Sequence, residues 1–245
     1  MLEEVVTGDG TNTIYSDSYK EHYHSINEGA YTESLKKHIY PAVRNIEKSA
    51  CEEIVILDIC FGLGYNALTA IKMLRSFGLK KLKIISPEIN RRLVESLSEF
   101  AYPAELGTLK HIVDFIAKNG FYEDEFVRID VIFDNARSVV KNILPKSVDI
   151  VFQDAFGPKN NPELWTVEYF SDIEKILKPS GIITTYSKAN GVRLAMREVG
   201  LLLYEHDDKA IRSGTIGLKY ESELFKKIDA NINTLNAKAF RDKDL

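Results

Sequence analysis

The sequence predicts a three-layer α/β domain built on a largely parallel sheet, and three observations carry that expectation. Short apolar runs alternate with helix-compatible segments five times between residues 54 and 199. The first run, 54–58, passes directly into a glycine-rich turn, Cys60-Phe61-Gly62-Leu63-Gly64. The alternation ends in two runs, 201–205 and 213–219, whose turn signals suit an antiparallel pair added to a parallel sheet.

At 245 residues the chain can bury a substantial core in one main fold. We expect an N-terminal extension and lid over 1–50, a Rossmann-like domain over 51–221 and a C-terminal tail over 222–245. Two cysteines, Cys51 and Cys60, are too few for a disulfide framework and lack the company of a metal site, so a reducing cytosol and no metal are expected. Residues 1–13 are acidic, which is unlike a signal peptide, and no run of about 18 apolar residues exists. A soluble, cytoplasmic protein with no membrane partner follows as the expectation. A net charge of −4 argues against broad electrostatic binding to DNA. One local stretch, with Lys188, Arg193, Arg197, Lys209, Arg212 and Lys219, outnumbers its acids Glu198, Glu205, Asp207 and Asp208. It reads either as a nucleic-acid contact or as a solvated helix face and loop.

In chain order, 1–13 reads as a tail. Tyr15, Tyr19, Tyr23 and Tyr31 recur at spacings of four, four and eight, which suits an apolar helix face or, alternatively, a lid stacking on a base. A turn at Asn27-Glu28-Gly29 leads into a helix over 31–47. The run 54–58 ends on Asp58, and Gly62 and Gly64 let the backbone turn tightly before a helix over 66–77. Gly62-x-Gly64-x-x-Ala67 also fits a dinucleotide fingerprint. A second strand, 80–88, ends on Glu88, 24 residues past Gly64, where an acid can accept both hydroxyls of a ribose; a surface glutamate is the other reading. Pro103 and Gly107 break 91–119 into two helices. A third strand, 126–133, ends at Asp134-Asn135, placed to meet an adenine amino group, and a helix follows to 144. The fourth strand, 148–152, runs into Gln153-Asp154-Ala155-Phe156-Gly157-Pro158 and a loop ending at Trp165. Ligands of open parallel sheets bind beyond the carboxyl ends of the strands, so this loop should floor the pocket, although Asp154 could equally cap a helix. A helix over 167–177, a strand over 182–187 and a helix over 191–199 complete the alternation, and 222–245 should hold a helix and a frayed end.

A nicotinamide fold would begin a second mononucleotide half where this chain turns to an antiparallel pair. The polar Asp154–Pro158 floor and the aromatic segment before the first strand also favour a methyl donor, S-adenosylmethionine, over a dehydrogenase cofactor.

The sequence resembles the methyltransferase domain of MnmC-type tRNA-modifying enzymes over roughly 15–219. The resemblance is carried by Ile14-Tyr15-Ser16 through Asn27-Glu28-Gly29, by Phe61-Gly62-Leu63-Gly64-Tyr65-Asn66, and above all by the block from Asp154 to Trp165. It implies a class I S-adenosylmethionine-dependent methyltransferase fold, with a mainly parallel seven-stranded sheet, its antiparallel pair and an N-terminal extension. It further implies N-methylation of the 5-aminomethyl group of the wobble (2-thio)uridine in tRNA. On that resemblance Asp58, Gly62, Gly64, Asn66 and Asp154 border the cofactor, Glu88 holds its ribose, Asp134 and Asn135 face its adenine, and Asn27 and Glu28 close it from the N-terminal side. Asp154, Phe156 and Pro158 would form the catalytic floor, and Lys159, Lys188, Arg193, Arg197 and Arg212 would contact tRNA. The chain carries Cys60 where the family usually has glycine, and Asn135 where it has aspartate. The bifunctional enzymes continue into a flavin-dependent domain; with no second glycine-rich unit here, the expectation is a stand-alone methyltransferase linked to other enzymes that supply the aminomethyl group. A polyamine synthase and a non-catalytic cofactor-binding module share enough of these features to remain alternatives.

Overall fold

The computed structural model describes residues 3–46, 52–206, 212–228 and 237–245. The chain opens in a small antiparallel sheet of β1 (Glu4–Val6), β2 (Asn12–Ser16) and β3 (Glu21–His22). Residues 1–13 were expected as a tail, and the correction has a local cause. Asp9 Oδ1 accepts from the Thr11 N–H at 3.1 Å and from the Thr7 and Thr11 hydroxyls at 3.0 and 2.6 Å, closing the turn between β1 and β2. Its second oxygen accepts the Thr32 N–H at 2.8 Å and ties the hairpin to the helix beyond. The tyrosines do not form a helix face either. Lys20 adopts a left-handed φ of 54° between β2 and β3, so Tyr15, Tyr19 and Tyr23 lie on or beside a hairpin. The helix expected from Tyr31 forms as α1 (Ala30–Glu33), a π-helical stretch (Ser34–Ile39) and α2 (Tyr40–Ile46). Lys37, His38 and Ile39, consecutive residues in the π stretch, are all buried.

The main domain then runs β4 (Glu53–Ile59), α3 (Tyr65–Ser76), β5 (Lys81–Pro87), α4 (Arg91–Ser96), α5 (Ala104–Gly107), α6 (Lys110–Asn119), β6 (Phe121–Glu123) and β7 (Val127–Ile132). It continues with α7 (Ala136–Lys141), β8 (Val148–Gln153), α8 (Val167–Ile176), β9 (Leu177–Thr185), α9 (Asn190–Glu198), β10 (Leu202–Glu205), β11 (Thr215–Leu218) and β12 (Lys226–Lys227). The sheet order is β12-β10-β11-β9-β8-β4-β5-β7-β6. The block from β7 through β9 is parallel, and β11 runs antiparallel between β9 and β10. This is the expected seven-stranded class I methyltransferase sheet, widened by β6 and β12 at its edges.

Side chains of β4 alternate between two cores. Ile54 and Ile56 pack with α3 and α6, while Leu57 and Ile59 pack with α7, α8 and α9. Burial on both faces explains why the parallel strands read as continuous apolar runs. Residues 91–119 give three helices rather than two, because α4 already ends at Ser96 and Pro103, at the N-cap of α5, opens a separate short helix before α6. The strand β6 was missed: Gly120, at φ 78°, stops α6 and turns the chain back onto β7. The described residues of 222–245, which are 222–228 and 237–245, are tied to the main domain. β12 pairs with β10, the Phe240 carbonyl accepts the Val167 N–H at 2.8 Å, and Arg137 grips Asp242 at 2.7 and 2.5 Å. The boundary expected at 50/51, Cys51, Asp207, Asp208, Lys209 and residues 229–236 lie outside the described residues.

Candidate active site

The carboxyl ends of β4, β5 and β8 open into a cleft of about 1130 Å³, roofed by the N-terminal hairpin. Its first wall is the turn after β4. Cys60, Gly62 and Gly64 take φ values of 68°, 54° and 74°, a left-handed path that costs Cys60 strain and the glycines nothing. A Cβ on Gly62 would come within 3.2 Å of the Tyr23 ring, so the absence of a side chain lets Tyr23 pack close against the turn. The Gly62 N–H donates to Glu88 Oε2 at 2.9 Å, and the Asn90 N–H donates to Oε1 at 2.8 Å. Burial pushes the Glu88 carboxyl up, against these backbone bonds that favour its ionised form. Burial also drives the Cys60 thiol well above its ordinary range, with the charges of Glu88 and Asp154 adding to it.

The floor is the segment after β8. Asn66, at the start of α3, donates through Nδ2 to Asp154 Oδ2 at 2.8 Å and faces Asp58 Oδ1 at 3.4 Å. Asp58 is fully buried; burial and then the Asp154 charge push its carboxyl far up, despite hydrogen bonds from Asn66 and Ser86. It supports Asn66 from beneath and is not part of the cleft lining. The loop beyond Asp154 is held rigid. Tyr186 donates to the Ala155 carbonyl at 2.9 Å, Trp165 Nε1 donates to the Phe156 carbonyl at 2.8 Å, and Glu21 Oε2 accepts from the Gly157 N–H and Asn160 Nδ2, both at 3.0 Å. Phe156 stacks on Tyr19 with ring centroids 4.5 Å apart and meets Tyr23 edge-on at 4.9 Å. Hairpin and loop thus join through an aromatic cluster that lines the same cleft as Asp154.

The remaining wall is ionic. Lys37 bonds Glu28 and, at 2.8 Å, Glu33, and the Ser25 N–H donates to Glu33 Oε2 at 2.8 Å. Burial works to raise the Glu33 carboxyl, but His24, with Nδ1 3.7 Å from Oε2, and the Lys37 charge outweigh it and hold the group far below its usual range. Glu28 Oε1 accepts the Arg212 N–H at 3.0 Å, and Asn27 lines the same side.

Several expected residues stand elsewhere. Asp134 is exposed and accepts the Asn135 N–H at 2.6 Å, while Asn135 Oδ1 caps α7 by accepting the Arg137 N–H at 2.8 Å. Neither lines the cleft, and neither do Pro158 and Gly64. Arg193 is a correction: it is buried, donating to Thr215 Oγ1 at 2.9 Å and to Glu205 at 2.8 Å, so it braces α9 against the β10–β11 pair and does not face a nucleic acid. Arg197 donates to the Ile228 carbonyl at 3.1 Å, Lys159 is exposed, and Lys188 and Arg212 sit on the cleft rim. Sequence reasoning missed His38. Its Nε2 lies 3.4 Å from Asp154 Oδ1 and its Nδ1 2.9 Å from Thr184 Oγ1. Among the described residues no cluster of His, Cys, Asp and Glu is arranged to hold a metal ion, and no helix is long and apolar enough to cross a membrane.

Sheet order, the glycine turn and the acid that follows β5 define an S-adenosyl-L-methionine-dependent methyltransferase, and a family profile of that description matches residues 108–217. The crystal structure of MnmC2 from Aquifex aeolicus is 30% identical, with a TM-score of 0.82 over 94% of this chain and 74% of that one. The chain belongs to this MnmC-type methyltransferase family. An uncharacterized protein of Methanocaldococcus jannaschii is 27% identical over 98% of this chain and 67% of its own length. The tRNA 5-methylaminomethyl-2-thiouridine biosynthesis bifunctional protein MnmC of Cupriavidus metallidurans is 26% identical over 81% of this chain, which spans only 31% of that protein. A probable spermidine synthase from Corynebacterium glutamicum, 17% identical with a TM-score of 0.53, shares the fold alone.

The cleft fits the cofactor. Gly62 and Glu88 both line it, and Asn66 Oδ1 is a buried acceptor with no hydrogen-bond partner.

Proposed function

We propose that this protein methylates the primary amine of a 5-aminomethyl group on the wobble (2-thio)uridine of tRNA. The observation that carries this reading is the Asp154 carboxylate, fixed by Asn66 in a cleft that the aromatic cluster of Tyr19, Tyr23 and Phe156 also lines. The part that the bifunctional MnmC relatives are named for, in tRNA 5-methylaminomethyl-2-thiouridine biosynthesis, supports the choice of substrate.

Bound S-adenosyl-L-methionine supplies a methyl group already activated by its sulfonium. Glu88 would accept the ribose hydroxyls, Gly62 and Asn66 would border the methionine portion, and Asn27 and Glu28 would close the cleft. The protein's own task is then alignment and proton handling. Tyr19 and Phe156 present flat faces on which a pyrimidine can stack, holding its 5-substituent over Asp154. Asp154 accepts a hydrogen bond from the amine and so aims its lone pair. A carboxylate beside an amine favours the ammonium form, so Asp154 orients the nitrogen first and takes its proton only as the new bond develops.

The test is methyl transfer to tRNA carrying the aminomethyl group at the wobble position, beside tRNA carrying the carboxymethylaminomethyl group at the same place. Label should enter the first alone. Asp154→Ala should nearly abolish turnover while cofactor binding stays measurable. Product from decarboxylated cofactor and putrescine, with no dependence on tRNA, would instead place the chain with the aminopropyl transferases.

A further inference from the structure

His38 is completely buried in the π-helical stretch, against the Phe152 ring at 5.6 Å, and its two nitrogens have different fates. Nδ1 is 2.9 Å from Thr184 Oγ1. Nε2 points at Asp154 Oδ1 from 3.4 Å but has no hydrogen-bond partner. A buried ring nitrogen beside a carboxylate, without a hydrogen bond between them, is an expensive arrangement to leave in a folded protein. It is explained if the neutral ring keeps its proton on Nδ1, donating to Thr184. Nε2 then offers a lone pair to an acceptor oxygen, and the pair lacks a single proton to become a hydrogen bond.

We propose that His38 is the positioning residue behind Asp154, and that the two side chains together hold the proton released when the amine is methylated. The inference rests on the reading of Asp154 given above. In the step itself, the amine lone pair forms the nitrogen–carbon bond as the carbon–sulfur bond breaks with its electrons going to sulfur, leaving a thioether and a secondary ammonium. That ammonium gives its proton to Asp154, and the proton is shared between Oδ1 and Nε2 until it returns to solvent with product release. The neutral secondary amine remains. Asn66 occupies the other carboxylate oxygen, so Oδ1 is the oxygen left to face His38.

The groups around the pair all bear on where it holds a proton. Asp58 lies beneath it from β4, with Cys60 just beyond, and Glu88 faces it from the end of β5. Asn66 and the Tyr186 hydroxyl border it from α3 and the end of β9, and Glu33 and Lys37 stand on the same helical segment as His38. The proton belongs to the couple and not to either residue alone.

The experiment is nitrogen-15 NMR of the imidazole rings in the cofactor-bound protein, with the His38 signal assigned by its loss in His38→Gln. The expected spectrum shows the Nδ1-protonated tautomer at alkaline pH and a second proton gained at Nε2 as the pH falls. Asp154→Asn should move that titration to lower pH. In the tRNA assay His38→Gln should lower kcat by about 100-fold with cofactor affinity unchanged. A ring protonated on Nε2 at alkaline pH, or a titration indifferent to Asp154→Asn, would overturn the proposal, as would wild-type kcat in His38→Gln. If His38→Gln does not fold, Thr184→Val assigns the ring by perturbing the Nδ1 signal, and the tautomer still decides. Wild-type turnover in Asp154→Asn would instead remove the reading of Asp154 itself, which the NMR result on His38 does not depend on.

Discussion

Replacing Lys37 with methionine keeps the side-chain volume and removes the one cation between Glu28 and Glu33. Lys37 and Glu33 are both buried, at 7% and 6% exposure, with Nζ 2.8 Å from Glu33 Oε1. At that distance the attraction is about 6 kcal/mol for an effective dielectric constant of roughly 20. Most of it offsets the desolvation of the two charges, and removing one member of a buried pair costs about 3–5 kcal/mol. Glu33 keeps the Ser25 N–H and His24 as partners, so the lower end, about 3 kcal/mol, applies. In a domain of this size that is a fall in Tm of about 6–12 °C. The pH dependence gives a second check. Glu33 is held below its unfolded value, so its contribution is fully present above about pH 4.3 and is lost as the pH falls through its folded value. In Lys37→Met burial loses one of its two opponents, the Glu33 carboxyl rises, and protonation relieves the variant where it harms the wild type. The gap in Tm should therefore be widest near neutrality and shrink below about pH 4.3. Adding Glu33→Gln to the variant should recover part of the loss. Scanning calorimetry or circular dichroism melts from neutral to acid pH measure both effects. Equal Tm values at neutral pH, or a gap that stays constant into acid, would refute the account of this cluster.

Cys60 borders the cleft, yet its thiol is pushed well above the usual range, first by burial and then by Glu88 and Asp154, so alkylation by iodoacetamide should be slow at neutral pH and rise only in alkali. Bound S-adenosyl-L-methionine should slow it further; rapid alkylation at neutral pH would mean that the thiol is not so enclosed. Lys188→Ala and Arg212→Ala, on the rim, should each weaken tRNA binding and reduce the slope of log affinity against log salt by about 1. Arg193→Met should leave that slope alone and lower thermal stability instead, because Glu205 and Thr215 each lose the hydrogen bond it donates; a changed slope would contradict its placement as an internal brace. Trp165→Phe removes the donor to the Phe156 carbonyl at a cost of about 1 kcal/mol and should raise KM for tRNA by loosening the aromatic cluster, and an unchanged KM would separate that bond from substrate binding.

What could be read from the chain was local and periodic. The turn after β4, the acid ending β5 and the block from Asp154 to Trp165 are each compact stretches, and each lies at the end of its strand as expected. The hairpin was misread because the tyrosine spacing imitates a helical face. The competing signal, Thr7-Gly8-Asp9-Gly10-Thr11 between two β-branched runs, was present but short. Asn135 looked like a ligand contact because a polar residue after a strand serves equally as the cap of the next helix. Arg193 looked like one of a basic group, but its partner Glu205 comes 12 residues later, on β10. His38 gave no signal at all. It lies within a helical segment, and its partner Thr184 is 146 residues away, so only the folded sheet brings it to Asp154.

The most direct test of the proposed function is to incubate the purified protein with S-adenosyl-L-methionine carrying a labelled methyl group and tRNA from cells lacking this modification but able to form the aminomethyl group. The tRNA is then digested and its nucleosides analysed by mass spectrometry. The account predicts that the 5-aminomethyl-2-thiouridine peak is replaced by its labelled 5-methylaminomethyl counterpart, and that Asp154→Ala leaves the original peak in place. Label on a different nucleoside, or none on tRNA from a protein that binds the cofactor, would contradict it.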